Sequence, residues 1–173
     1  MSIESSPFIP HSYADITQKN AFPKGALPEA AYTKLCKDYT AADDVIVERI
    51  TYESDGLTIT GMMARPTEAS DKQHDLVVYN RGGSGNYGML TVHAALRQFI
   101  PLARAGYVVV GSNYRGNDGG QGQDEFGGKD VDDVMALHDL AKALPYVNDK
   151  PCFVVGHSRG GMMTYLLLKQ GLN

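Results

Sequence analysis

The chain has 173 residues, 43% of them hydrophobic and 21% charged, and a formal net charge of −4. That length suits one domain with a sizeable core, and an acidic balance without a Lys/Arg cluster excludes a nucleic-acid partner. No apolar run reaches the length of a membrane span, and Met1-Ser2-Ile3-Glu4-Ser5-Ser6-Pro7 lacks the basic-then-apolar layout of a signal peptide.

Residues 1–27, rich in Pro, Ser, Lys and Gly, read as an irregular arm, and Pro28–Tyr39 as a short helix with proline in its first turn. Val45–Tyr52 and Leu57–Ala64 are β-rich and flank Glu53-Ser54-Asp55-Gly56, a hairpin signal. Pro66–Lys72 is a polar loop. Leu76–Tyr79 is a short apolar run that predicts a buried strand. Met89–Ala105 has helical periodicity, with Gly106 as its stop. Tyr107–Gly111 predicts another buried strand and Val131–Leu144 another helix, whose first turn carries Asp130, Asp132 and Asp133. Acids there suit a helix dipole better than a metal. Cys152–Val155 is a last buried strand, Met162–Leu168 continues into a helix, and Gly171-Leu172-Asn173 reads as its C-terminal cap. Two antiparallel strands followed by alternating strands and helices give an α/β class, with an N-terminal arm over 1–44 and a domain over 45–173. Cys36 and Cys152 form neither a disulfide framework nor a metal pattern. No metal or cofactor is expected, and the setting is read as cytoplasmic.

Gly156-His157-Ser158-Arg159-Gly160 stands between the last strand and the last helix. In that context G-x-S-x-G is a nucleophile elbow, a tight turn that presents the serine hydroxyl above the sheet edge. Flanking side chains would collide in such a turn, which explains the glycines. The Arg159 N–H then sits at the helix N-terminus, where it can stabilise an oxyanion. The triad of this elbow type continues with Asp or Glu and then His along the chain, and no His, Asp or Glu follows Ser158. His157, next to the nucleophile, points away across the turn and reads as an elbow filler rather than a base.

The motifs resemble those of the prolyl oligopeptidase-like serine hydrolases, a branch of the α/β-hydrolases, over Val45–Asn173. Tyr79-Asn80-Arg81-Gly82-Gly83 resembles that family's oxyanion loop. Asn113–Gly122, with Phe126-Gly127-Gly128 and Asp130–Val134, resembles its Arg-Gly loop and the helix start that follows. Gly156–Gly161 resembles its elbow, extra glycine included. The resemblance implies the N-terminal half of the catalytic domain, with an antiparallel hairpin, then parallel strands and helices on both faces. It implies that Ser158 attacks an ester or peptide carbonyl while Arg159 N–H and the Asn80–Arg81 loop hold the oxyanion, by the Asn80 amide or the Arg81 N–H. The base and its orienting acid are implied downstream, so the 173 residues alone are expected to be inactive. In the family a Tyr or His often stands where Asn80 stands here.

Two other readings compete. A catalytically inert fragment or interaction module accounts for the missing acid and histidine. Gly83-Ser84-Gly85-Asn86-Tyr87-Gly88 is a literal G-x-G-x-x-G that suggests an NAD(P)-binding oxidoreductase, and Tyr165 with Lys169 adds a Tyr-x-x-x-Lys. Against it, Arg81 stands where an apolar residue anchors such a turn, and no acid closes the next strand. With no strand after the elbow helix, Phe153–Val155 is expected to form an open sheet edge through which the chain self-associates.

Overall fold

The structure is a computed structural model and describes residues 2–68 and 72–172. Residues 69–71 of the Pro66–Lys72 loop and Asn173 of the C-terminal cap lie outside the described residues. Six strands, β1 (Glu4–Pro7), β2 (Val45–Ser54), β3 (Leu57–Pro66), β4 (Leu76–Asn80), β5 (Val108–Ser112) and β6 (Phe153–Gly156), form one sheet in the order β1-β2-β3-β5-β4-β6. The first three strands and the β3–β5 pair are antiparallel; β5, β4 and β6 are mutually parallel. This is the α/β-hydrolase type of sheet.

The hairpin forms where the sequence asks for it. Asp55 and Gly56 both have positive φ, 52° and 74°, the requirement of a two-residue turn whose twist matches its strands. β4 and β5 are buried along their whole length, which is why their sequences are apolar without alternation.

Helices cover both faces. On one lie α1 (Tyr13–Gln18), α2 (Glu29–Thr40) and a helical run made of α3 (Val92–Ala94), a π-helical turn (Ala95–Phe99) and α4 (Ile100–Arg104). On the other lie α5 (Asp130–Lys142) and α6 (Arg159–Lys169). α5 buries Val131, Val134, Leu137 and Ala141 on one stripe, and each buried Val or Leu contributes about 2 kcal/mol. No helix among the described residues is long and apolar enough to cross a membrane.

Three expectations change. Residues 1–27 are not irregular: β1 adds an edge to β2 and α1 follows, capped by Ser12 Oγ accepting from Asp15 N. Every β1 residue is exposed, so no apolar alternation betrays the strand. The run expected from Met89 becomes helical only at Val92, after Thr91 caps it by accepting from His93 N. The Cys152–Val155 strand is not buried, since Phe153 and Val155 are exposed on the free edge of the sheet.

Candidate active site

β4 and β6 run side by side, with Asn80 opposite Gly156. The loops leaving their C-terminal ends therefore meet, as sites do in open parallel sheets. Ser158 follows β6 with φ 54° and ψ −127° and caps α6. A non-glycine residue held there stores about 1–3 kcal/mol of strain. Its side chain is exposed, and the Oγ has no hydrogen bond among the described residues. Its carbonyl accepts from Gly161 N at 3.0 Å, opening the first turn of α6. No described residue accepts from the Arg159 N–H.

The Arg159 side chain is buried away from the serine. It donates to Asp124 Oδ2 at 2.7 Å, to the Gly83 carbonyl at 3.0 Å and to Asp130 Oδ2. Its guanidinium also stacks over Tyr114 and Phe126, at 4.6 and 4.8 Å from the ring centres. Burial alone would push the Asp124 carboxyl up. The Arg159 guanidinium and the N–H groups of Gly85 and Phe126 outweigh it and hold that carboxyl down to about 2. Asp130, expected to serve the α5 dipole, accepts from Gly127 N and pairs with Arg159, while Asp133 takes Arg115 through Nε and Nη2 at 3.0 and 2.7 Å. Both acids are fully buried ion-pair members.

Asn80 is not among the residues that line the Ser158 cleft. It is fully buried, and its Nδ2 donates to Thr164 Oγ1 of α6 at 3.1 Å. The amide considered as an oxyanion donor is thus engaged beneath the helix. Arg81 is also buried. Among the described residues its guanidinium makes hydrogen bonds only to carbonyls, those of Gly82, Gly85, Tyr87 and Asn113, and lies 4.7 Å from the Tyr114 ring centre. Burial lowers it to about 10.

That arrangement also disposes of the dinucleotide reading. The 83–88 loop turns its carbonyls inward onto Arg81, and Gly85 N is taken by Asp124 Oδ2 at 2.9 Å. A pyrophosphate cradle needs inward N–H groups. Tyr165 is solvent-exposed on α6.

Ser158, His157, Gly82 and Gly83 line one cleft of about 410 Å³, and Gly82 lies under the His157 ring. The opposite walls are His93 and Arg97 of the helical run and residues 21–23 of the N-terminal segment. The segment is tied down by Gly88 N donating to the Ala21 carbonyl at 3.0 Å and by Phe22 edge-on against His93 at 5.9 Å. Neither this wall nor Arg97 was singled out from sequence, because nothing in their spacing signals proximity to Ser158.

Residues 93–172 match the prolyl oligopeptidase family. Over that segment the chain resembles that family. It is 37% identical over 117 residues to the uncharacterized peptidase YtmA of Bacillus subtilis (strain 168), covering 68% of this chain and 43% of that protein. It is 33% identical over 149 residues to the uncharacterized peptidase YuxL of the same strain, covering 81% of this chain and 22% of that one. The chain thus spans less than half the length of either relative. Among solved structures it resembles Pyrococcus horikoshii acylaminoacyl peptidase, with a TM-score of 0.58 at 20% identity over 78% of this chain and 23% of that one. That likeness concerns the fold, which is that of the α/β-hydrolases.

Proposed function

We propose that Ser158 is the nucleophile of a serine hydrolase that cleaves an ester or peptide bond through an acyl-enzyme. The observation that carries this reading is the strained elbow: an exposed hydroxyl without a hydrogen bond, at the head of a helix, in a cleft shared with Gly82–Gly83. Ser158 Oγ attacks the carbonyl carbon and an Oγ–C bond forms. The Oγ proton passes to a base and then to the leaving alcohol or amine as the scissile bond breaks. Water hydrolyses the resulting acyl ester. Arg159 N–H and the Arg81 N–H are the donors proposed for the oxyanion. The family pattern supplies base and orienting acid as a histidine and an aspartate after the serine, and neither type occurs among 159–173. In this reading they come from polypeptide beyond the 173 residues. The names of the two Bacillus relatives favour a peptide substrate. Two unpaired cysteines suit a cytoplasmic setting.

The test is covalent labelling, with an activated phosphonate, of the longer protein that carries the downstream histidine and acid, mapped by peptide mass spectrometry. Modification concentrated at Ser158 and absent in Ser158→Ala is the expected result. Labelling spread evenly over the serines would favour the inert-module reading instead.

A further inference from the structure

A π turn interrupts the helical run at Ala95–Phe99, and such turns often mark functional sites. Its wide i→i+5 spacing brings residues four and five apart onto one face, and His93, Ala94, Arg97 and Gln98 all line the Ser158 cleft. Arg97 is exposed, and no described residue gives it a hydrogen bond, an ion pair or an aromatic face. The other cleft arginine, Arg81, is buried and committed to carbonyls. Among the described residues no Asp or Glu lines the cleft, although the chain has 20 acids against 16 Lys and Arg. An acidic protein thus keeps a cleft without acids and with an unspent guanidinium in it. Burial first, and then the Arg97 charge, lower His93 towards its neutral form. A dianion would therefore find little help from His93. Phe22, Tyr79, Met89 and Leu90 add apolar surface to the wall, beside the polar Tyr87, Thr91 and Gln98.

We infer that the Ser158 cleft selects substrates whose apolar body carries a single carboxylate, and that Arg97 binds that carboxylate. The guanidinium fork matches a carboxylate with two parallel N–H···O bonds. The inference names a substrate class for the hydrolase proposed above and rests on it for the meaning of the cleft.

Binding can be read without turnover. In a Ser158→Ala background, 4-methylbenzoate and 4-methylbenzamide are titrated by NMR at low salt, with and without Arg97→Gln or Arg97→Lys. The expected result is that the carboxylate binds about fivefold more tightly than the amide. Added salt should weaken the preference, Arg97→Gln should abolish it and Arg97→Lys should keep part of it. Equal binding of the two probes, or a preference that survives Arg97→Gln, overturns the inference. Phenylboronic acid, which forms an adduct with a nucleophilic serine, is titrated separately against the longer protein that carries the downstream histidine and acid, with Ser158 and with Ser158→Ala. Loss of that Ser158-dependent adduct while the benzoate preference stands would defeat the nucleophile reading and leave the Arg97 site intact.

Discussion

Gly160 packs so tightly over β4 that a Cβ on it would lie 2.0 Å from the Asn80 carbonyl oxygen. One on Gly156 would lie 2.2 Å from the Gly160 carbonyl oxygen. The Gly156–Gly160 turn therefore uses its glycines to seat α6 against the end of β4, and both clashes are with backbone that cannot rotate away. Gly161 differs: its nearest neighbour would be 3.8 Å off. Gly160→Ala should destabilise the chain by about 2 kcal/mol or more. Gly161→Ala should be neutral or gain up to about 1 kcal/mol from helix propensity. Urea unfolding of the pair checks this, and equal midpoints would show that the close approach is not a constraint.

Asp118 ties the N-terminal segment to the domain. Its buried carboxylate meets His11 Nε2 at 3.1 Å, Lys19 Nζ at 2.9 Å and Arg49 Nη1. Its backbone N–H donates to Asn86 Oδ1 in the loop beside the cleft. Burial pushes the carboxyl up, but His11, Arg49 and Lys19 outweigh it and hold it well below the ordinary 3.8. A depressed folded value means the stabilisation is complete above the unfolded pKa and is lost as pH falls below 3.8 towards the folded one. Asp118→Asn should therefore lower stability at pH 7 and flatten the loss of stability below pH 4. Denaturant midpoints across pH 2–7 read both effects, and parallel curves for variant and parent would refute the coupling. Limited proteolysis should also open the 1–27 segment first in the variant.

Turnover gives a second handle on Ser158. A serine hydroxyl without base and acid loses several orders of magnitude in rate. The 173-residue chain should hydrolyse p-nitrophenyl acetate close to background, and Ser158→Ala should change little. Fast turnover that disappears in Ser158→Ala would mean that a base lies within the chain. His157, whose ring rests on Gly82 in the same cleft, would then be the first variant to make.

The legible parts of this fold were those written in local chemistry. The Asp55-Gly56 turn, the apolar runs of β4 and β5 and the glycines around Ser158 each impose one backbone geometry, so sequence alone located them. The illegible parts depend on distant partners. β1 is exposed on every residue and owes its place to pairing with β2. Asp130 and Asp133 look like helix-dipole acids until Arg159 and Arg115 arrive from elsewhere in the chain. Asn80 occupies the expected loop, yet Thr164 draws its amide under α6. Side-chain direction at that position is a tertiary fact, which the motif does not contain.

The free edge of β6 leads to the last prediction. β6 pairs with β4 on one side and with no strand among the described residues on the other. Phe153 is 52% and Val155 41% exposed there, and neither a lysine nor a proline lies within Phe153–Gly156 to discourage pairing. A bare apolar edge is a template for another strand. Two copies related by a two-fold axis would place β6 against β6 antiparallel, closing both edges at once. The 173-residue chain should accordingly show concentration-dependent self-association in sedimentation velocity, and Val155→Lys should suppress it by placing like charges across the two-fold pair. Because Val155 is already partly exposed, the substitution should leave the monomer's melting temperature within a few degrees of the parent. A monodisperse monomer at all concentrations, or association that Val155→Lys leaves untouched, would remove β6 as the contact.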